Sequence, residues 1–217
     1  MQSKHFDDGA TLAYESAMRL YNSACLLADN KIYPVANSLL ILAAEEANKA
    51  FVIKIQGTNP TDLDDTFKKS FEDHKTKIEM IRGTVFFSTL LKKVFQFEME
   101  PLLADAQKEP DFDKRIELIS HYRKKGFDDL VNWLKTEKTS KNDMSAELEW
   151  WKHAKVLKEN GFYLGVSNNK WLSPSKITKT TFNKSLKFVQ SYLDYVKRTV
   201  DLDFNSEELQ KFKRDFE

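Results

Sequence analysis

Along most of the chain apolar residues return every three or four positions, the spacing of helices that each bury one face. From about Asp8 to Asp29 they fall at Ala13, Ala17, Leu20, Tyr21, Ala24, Leu27 and Ala28, which predicts a first helix. Asn30 stands where a left-handed residue is expected to end it, and Pro34 opens a second helix running to about Ile55. The joint is short, so these two helices are expected to pack antiparallel. Gln56 to Asp65, with Gly57, Asn59, Pro60 and a Thr61-x-x-Asp64 capping pattern, reads as a loop into a third helix that extends to about Arg82. Val85 to Phe97 is strongly apolar and expected to be buried, Pro101 interrupts the pattern, and Asp111 is placed to cap a helix over Arg115 to Lys135. The polar run TEKTSKND breaks the pattern before a helix from Ser145 to Lys158. Asn160 to Pro174 reads as irregular, with GFYLG as a short extended piece, followed by a long helix from Lys176 to Val200 and an amphipathic tail from Asn205 onward.

Composition narrows the class. Only six Gly and five Pro in 217 residues argue against a β-sandwich or a Gly-rich nucleotide fold. The expectation is a single all-α domain over residues 1–217, with 1–100 as core bundle and 101–217 as helical extension. Lys+Arg (34) and Asp+Glu (33) nearly cancel, so no global field directs the chain to DNA or a membrane, and any RNA contact must use a local patch. The single Cys25 lies in an apolar stripe and reads as core filling. Charges near the start (Lys4, Asp7, Asp8) exclude a secretory signal there, no uncharged run is long enough to span a membrane, and the protein is expected to be soluble and cytoplasmic.

Two polar residues interrupt apolar seams. On a helical wheel of the second helix, Val35, Leu39, Leu42, Ala43, Ala50 and Ile53 share an arc, and Glu46 falls inside it, with Lys49 at its edge beside Glu45. The third helix carries Phe67, Phe71, His74, Ile78, Ile81 and Val85 at steps of four and three, so His74 occupies an apolar position, with Lys77 one turn on. Glu46 and His74 lie about equally far from Pro60, which in an antiparallel hairpin puts them at one height and predicts that they face each other. A carboxylate bonded to imidazole orients the ring for acid–base work, and Lys49 and Lys77 add charge suited to a phosphate. The competing reading is a structural clamp. A metal site lacks further ligands, and neither a metal nor a cofactor is expected.

The motifs carrying these residues resemble the AbiV family of bacterial abortive-infection proteins. That family's A-x-EE-x-G-K element is matched by Ala43, Glu45, Glu46 and Lys49, and its F-x-x-H-x-x-K element by Phe71, His74 and Lys77. Phe162, Tyr163, Trp171 and Pro174 fill a looser family segment. Asn30 and Asn48 stand where the family often has Gly; Asn48 is expected only to alter local packing. The resemblance implies phage defence, often through arrest of protein synthesis. It also implies a HEPN-like bundle, a class commonly dimeric and often ribonucleolytic through an Arg-x4-6-His motif. Arg115 and His121 have that spacing, but on a helix they diverge by about 120°.

Other candidates read blandly. Trp133, Trp150, Trp151 and Trp171 lack interleaved basic residues and suit a core or dimer contact better than base stacking. His121 with Arg123, Lys124 and Lys125 reads as a solvated face; His153 and His5 read as exposed. The resulting expectation is a protein, homodimeric by resemblance, that impairs translation through RNA cleavage or binding. Its catalytic set would be His74, Glu46, Lys49, Lys77 and Glu45. The alternative is a non-catalytic effector working by protein contact and activated by a phage protein.

Overall fold

The computed structural model describes residues 2–57, 69, 71–94, 105, 108–136, 138–163, 165–167 and 170–202. They form α1 (Gln2–Asp29), α2 (Tyr33–Gln56), α3 (His74–Val94), α4 (Phe112–Thr136), α5 (Lys138–Phe162), the strands β1 (Gly165–Ser167) and β2 (Lys170–Leu172), a 3-10 turn (Pro174–Lys176), and α6 (Lys179–Asp201). The architecture is all-α, as the pattern predicts, with one small antiparallel hairpin that sets Val166 opposite Trp171. The chain divides into two compact units, Met1–Ile81 with Trp151–Glu217, and Arg82–Trp150. The predicted loop and cap between Thr58 and Asp65, the seam residue Phe67, Pro101 and the tail from Asn205 lie outside the described residues.

The first unit is built around α2. Pro34 sits in its first turn, where a missing N–H costs nothing. The α1–α2 turn is a Schellman motif: Ile32 N–H donates to the Leu27 carbonyl and Lys31 N–H to that of Ala28, each at 2.9 Å. Lys31, not the expected Asn30, takes the left-handed conformation (φ 63°), while the Asn30 amide turns back to the Leu26 carbonyl at 2.8 Å. The helices then run antiparallel, as expected. Asp7 pairs with the buried Lys54 at 2.6 Å, and Gly9 lies against Ile53, contacts that anchor α1 six residues earlier than its apolar pattern begins. Both helices bury alanines completely: Ala10, Ala17 and Ala24 in α1, and Ala36, Ala43, Ala47 and Ala50 in α2. Methyl side chains let two helix axes approach closely.

The opposite side of α2 meets α6. Tyr33 packs on Phe182 and Phe51 on Tyr195, with ring centroids 6.1 and 5.9 Å apart. Between them Ser185 Oγ donates to Asn37 Oδ1 (2.5 Å) and Tyr192 Oη to Asn48 Oδ1 (3.0 Å). The pairs advance together, so α2 and α6 run parallel. Asn48 therefore does more than alter packing: it partners a fully buried phenol whose ionisation burial pushes well above the usual range. Trp151 is sealed in this core, edge-on to Tyr192 at 5.8 Å.

Several boundaries differ from the pattern. The third helix is interrupted at Asp73, whose carboxylate accepts from Thr76 N (2.8 Å) and Lys75 N (3.3 Å) as a cap, so His74 opens α3 rather than lying mid-helix. The Thr76 hydroxyl, and next its backbone N–H, hold the Asp73 carboxyl at about 2. α3 continues past Arg82 to Val94. TEKTSKND is not a break throughout: α5 begins at Lys138 and continues through Gly161 and Phe162, leaving the extended piece to start at Gly165. The expected caps hold at Asp111, which accepts from Lys114 N at 3.1 Å, while Thr178 supplies the corresponding cap to α6.

Candidate functional site

Three side chains from three helices meet inside the first unit. Glu45 of α2 accepts from Lys158 Nζ of α5 at Oε1 (2.6 Å), and its Oε2 lies 2.7 Å from His74 Nδ1 at the start of α3. Lys158 Nζ is also 3.0 Å from that same Nδ1. The glutamate and lysine side chains are 2% and 8% exposed, whereas the histidine side chain is 49% exposed. A single Nδ1 cannot donate to the carboxylate and accept from the ammonium at once. With Glu45 ionised and Lys158 protonated, both donate to Glu45, the imidazole proton is fixed on Nδ1, and Nε2 carries the free lone pair. That is how a buried carboxylate sets a histidine's tautomer.

Local packing delivers Lys158 to this point. Ser38 Oγ donates to the Lys158 carbonyl at 2.6 Å, tying the last turns of α5 to the second turn of α2. One turn on, Gly161 is so close to α2 that a Cβ there would overlap Ser38 Oγ and the Pro34 carbonyl.

Glu46 does not meet His74, contrary to the level-matching argument. It points away and pairs with Lys49 at 2.6 Å, 26% exposed. Two premises fail. α2 is packed on several sides: of the arc expected to be its buried stripe, Ala43 and Ala50 are sealed but Val35, Leu39, Leu42 and Ile53 are only half-buried, while the face bearing Asn37, Ile41, Glu45 and Asn48 is sealed as well. Nor are α2 and α3 an antiparallel hairpin. Their contacts, Glu45 to His74 and Asn48 Nδ2 to Met80 Sδ (4.0 Å), advance in the same direction along both helices.

Lys77, one turn beyond His74, is 5% exposed, and among the described residues its ammonium has no hydrogen-bond or ion-pair partner. Burial, and next the Lys49 charge, pull it below the ordinary lysine range; Glu45 and Glu46 oppose this, and Lys158 adds to it. Lys158 is the member that the sequence reading missed. Its signal was present: Trp151, Ala154 and Lys158 fall at one helical spacing and all are buried, so the lysine interrupts a stripe as His74 does.

The remaining candidates are not drawn in. Arg115 and His121, both exposed, turn to separate neighbours: Arg115 Nε donates to the Glu109 carbonyl at 2.6 Å and the His121 ring edges Tyr122. Trp150 and Trp151 are buried; the side chains of Trp133 and Trp171 lie outside the description. Cys25 is half-buried rather than core, and burial raises its thiol pKa. Among the described residues no group of three or more His, Cys, Asp or Glu side chains could hold a metal ion, and no helix is long and apolar enough to cross a membrane.

The family model that matches the chain is of HEPN type, which sets the class. Within that class the chain belongs to the AbiV family, whose profile matches residues 5–194. No curated protein and no solved structure matches it. The family assigns the chain the general role of abortive-infection defence.

Proposed function

We propose that the protein blocks phage multiplication by impairing translation, through cleavage or binding of RNA at the Glu45–His74–Lys158 site. The supporting observation is the asymmetry of that triad: a sealed carboxylate and lysine hold Nδ1 of a ring that is itself half-exposed. In this reading Nε2 of His74 takes the proton from a ribose 2′-hydroxyl as its oxygen attacks the adjacent phosphorus, the bond from phosphorus to the 5′-oxygen breaks, and that oxygen takes a proton from solvent water. Glu45 positions the ring, and the lysines offset charge on the phosphate. Glu46 pairs with Lys49 and adds its charge to the surroundings of Lys77.

A second reading is favoured by the burial of the Glu45–Lys158 pair: a non-catalytic effector, activated by a phage protein, in which the triad only fixes the helices. His74→Gln separates the two. Plaquing on cells carrying the variant is expected to return to the undefended level while the purified protein keeps its helicity and Tm within a few degrees. A folded His74→Gln protein that still protects cells would sink the catalytic reading.

A further inference from the structure

The triad grips one side of an imidazole and leaves the other side open. Lys158 Nζ donates to Glu45 Oε1 at 2.6 Å and His74 Nδ1 to Oε2 at 2.7 Å, so both donors of the triad are committed to one carboxylate. Among the described residues the second ring nitrogen, Nε2, has no hydrogen-bond partner, and the side chain that carries it is 49% exposed. An imidazole whose proton is pinned on Nδ1 presents a lone pair at Nε2, which is the nucleophilic form of histidine. When Nε2 forms a bond the ring gains positive charge, and the sealed Glu45 carboxylate is already seated against it to offset that charge. The triad has no donor left to protonate a departing group. It therefore suits attack on a compound whose leaving group departs as a stable anion.

We propose that His74 is a phosphoryl acceptor, modified at Nε2 by an acyl phosphate. The Nε2 lone pair forms the N–P bond while the bond from phosphorus to the acyl oxygen breaks, and that electron pair leaves with the carboxylate. Nδ1 keeps its proton, directed at Glu45, so the step needs no further acid or base. This is a covalent use of the lone pair, where the proposed function uses it as a base. The modification does not require that RNA be cut; where that reading holds, a phosphoryl group on Nε2 removes the base and switches cleavage off. His121 supplies a comparison within the chain: it is exposed too, but its described contact is the edge of the Tyr122 ring, not a buried carboxylate.

The test incubates the full chain with acetyl phosphate and maps the label by peptide mass spectrometry at alkaline pH, where N–P bonds survive. One phosphoryl group is expected at His74, acquired about tenfold faster than at His121, the effect of one charge-assisted hydrogen bond on a barrier. Phosphorus–nitrogen coupling in isotopically labelled protein is expected to place it on Nε2. Equal rates at the two histidines, a label on Nδ1, or no label at His74 overturns the proposal. Labelling of His74 by ATP with magnesium but not by acetyl phosphate overturns it as well, since the donor is then a nucleotide. Glu45→Gln is expected to erase the preference for His74; a folded variant that labels as fast as the parent sinks the role of the carboxylate, and if the variant does not fold the comparison with His121 in the parent decides. Lost defence in His74→Gln with an unlabelled parent removes this inference and leaves the proposed function standing. A labelled parent with intact defence in that variant does the reverse.

Discussion

The two sides of α2 solve one problem in opposite ways. Toward α1 it presents fully buried alanines to fully buried alanines, and close approach alone excludes water. Toward α5 and α6 it buries Asn37, Ser38, Glu45 and Asn48, and each must be matched by a partner of the right chemistry. The first side specifies distance. The second specifies identity, and it is the side from which the site is built.

The comparison breaks most sharply at Glu45. Glu45→Ala leaves the Lys158 ammonium buried without its carboxylate and is expected to cost about 3–5 kcal/mol by urea denaturation. The alanine side should respond to size: Ala17→Leu is expected to cost about 1–3 kcal/mol through overpacking, with no effect specific to His74. The least costly test is Tyr192→Phe, which strips Asn48 Oδ1 of its donor while keeping the ring against Trp151, and should cost about 1–2 kcal/mol. If Ala17→Leu proved harmless while Tyr192→Phe unfolded the protein, the division between a distance-specified and an identity-specified side would be wrong.

Much of this was legible in the sequence, and what was not follows from packing. Periodicity locates every described helix and the Ile78–Ile81–Val85 seam, because each of those helices buries a stripe. For α2 it finds the helix but not its facing, since a helix packed on several sides has no single apolar direction; an arc drawn through Leu39 and Leu42 then selects the half-exposed side and, with it, Glu46 instead of Glu45. The histidine was identifiable as an apolar position filled by an imidazole. Lys158 obeyed the same rule but is 113 residues from its partner, and no local pattern announces so distant a pairing. The break before His74 depends on the Asp73 side chain turning onto its own backbone, a choice that apolar spacing does not record.

Gly161 gives the molecule a separable control point. It touches no charged group of the triad, yet it is the place where α5 rests directly on α2, one turn from Lys158. A methyl group there would act as a wedge driven under a lever: the short arm is the Ser38 contact, and the long arm carries the ammonium. The identity of every group in the triad would be preserved while their spacing changed. Gly161→Ala thus offers a way to detune the site mechanically, without altering its chemistry.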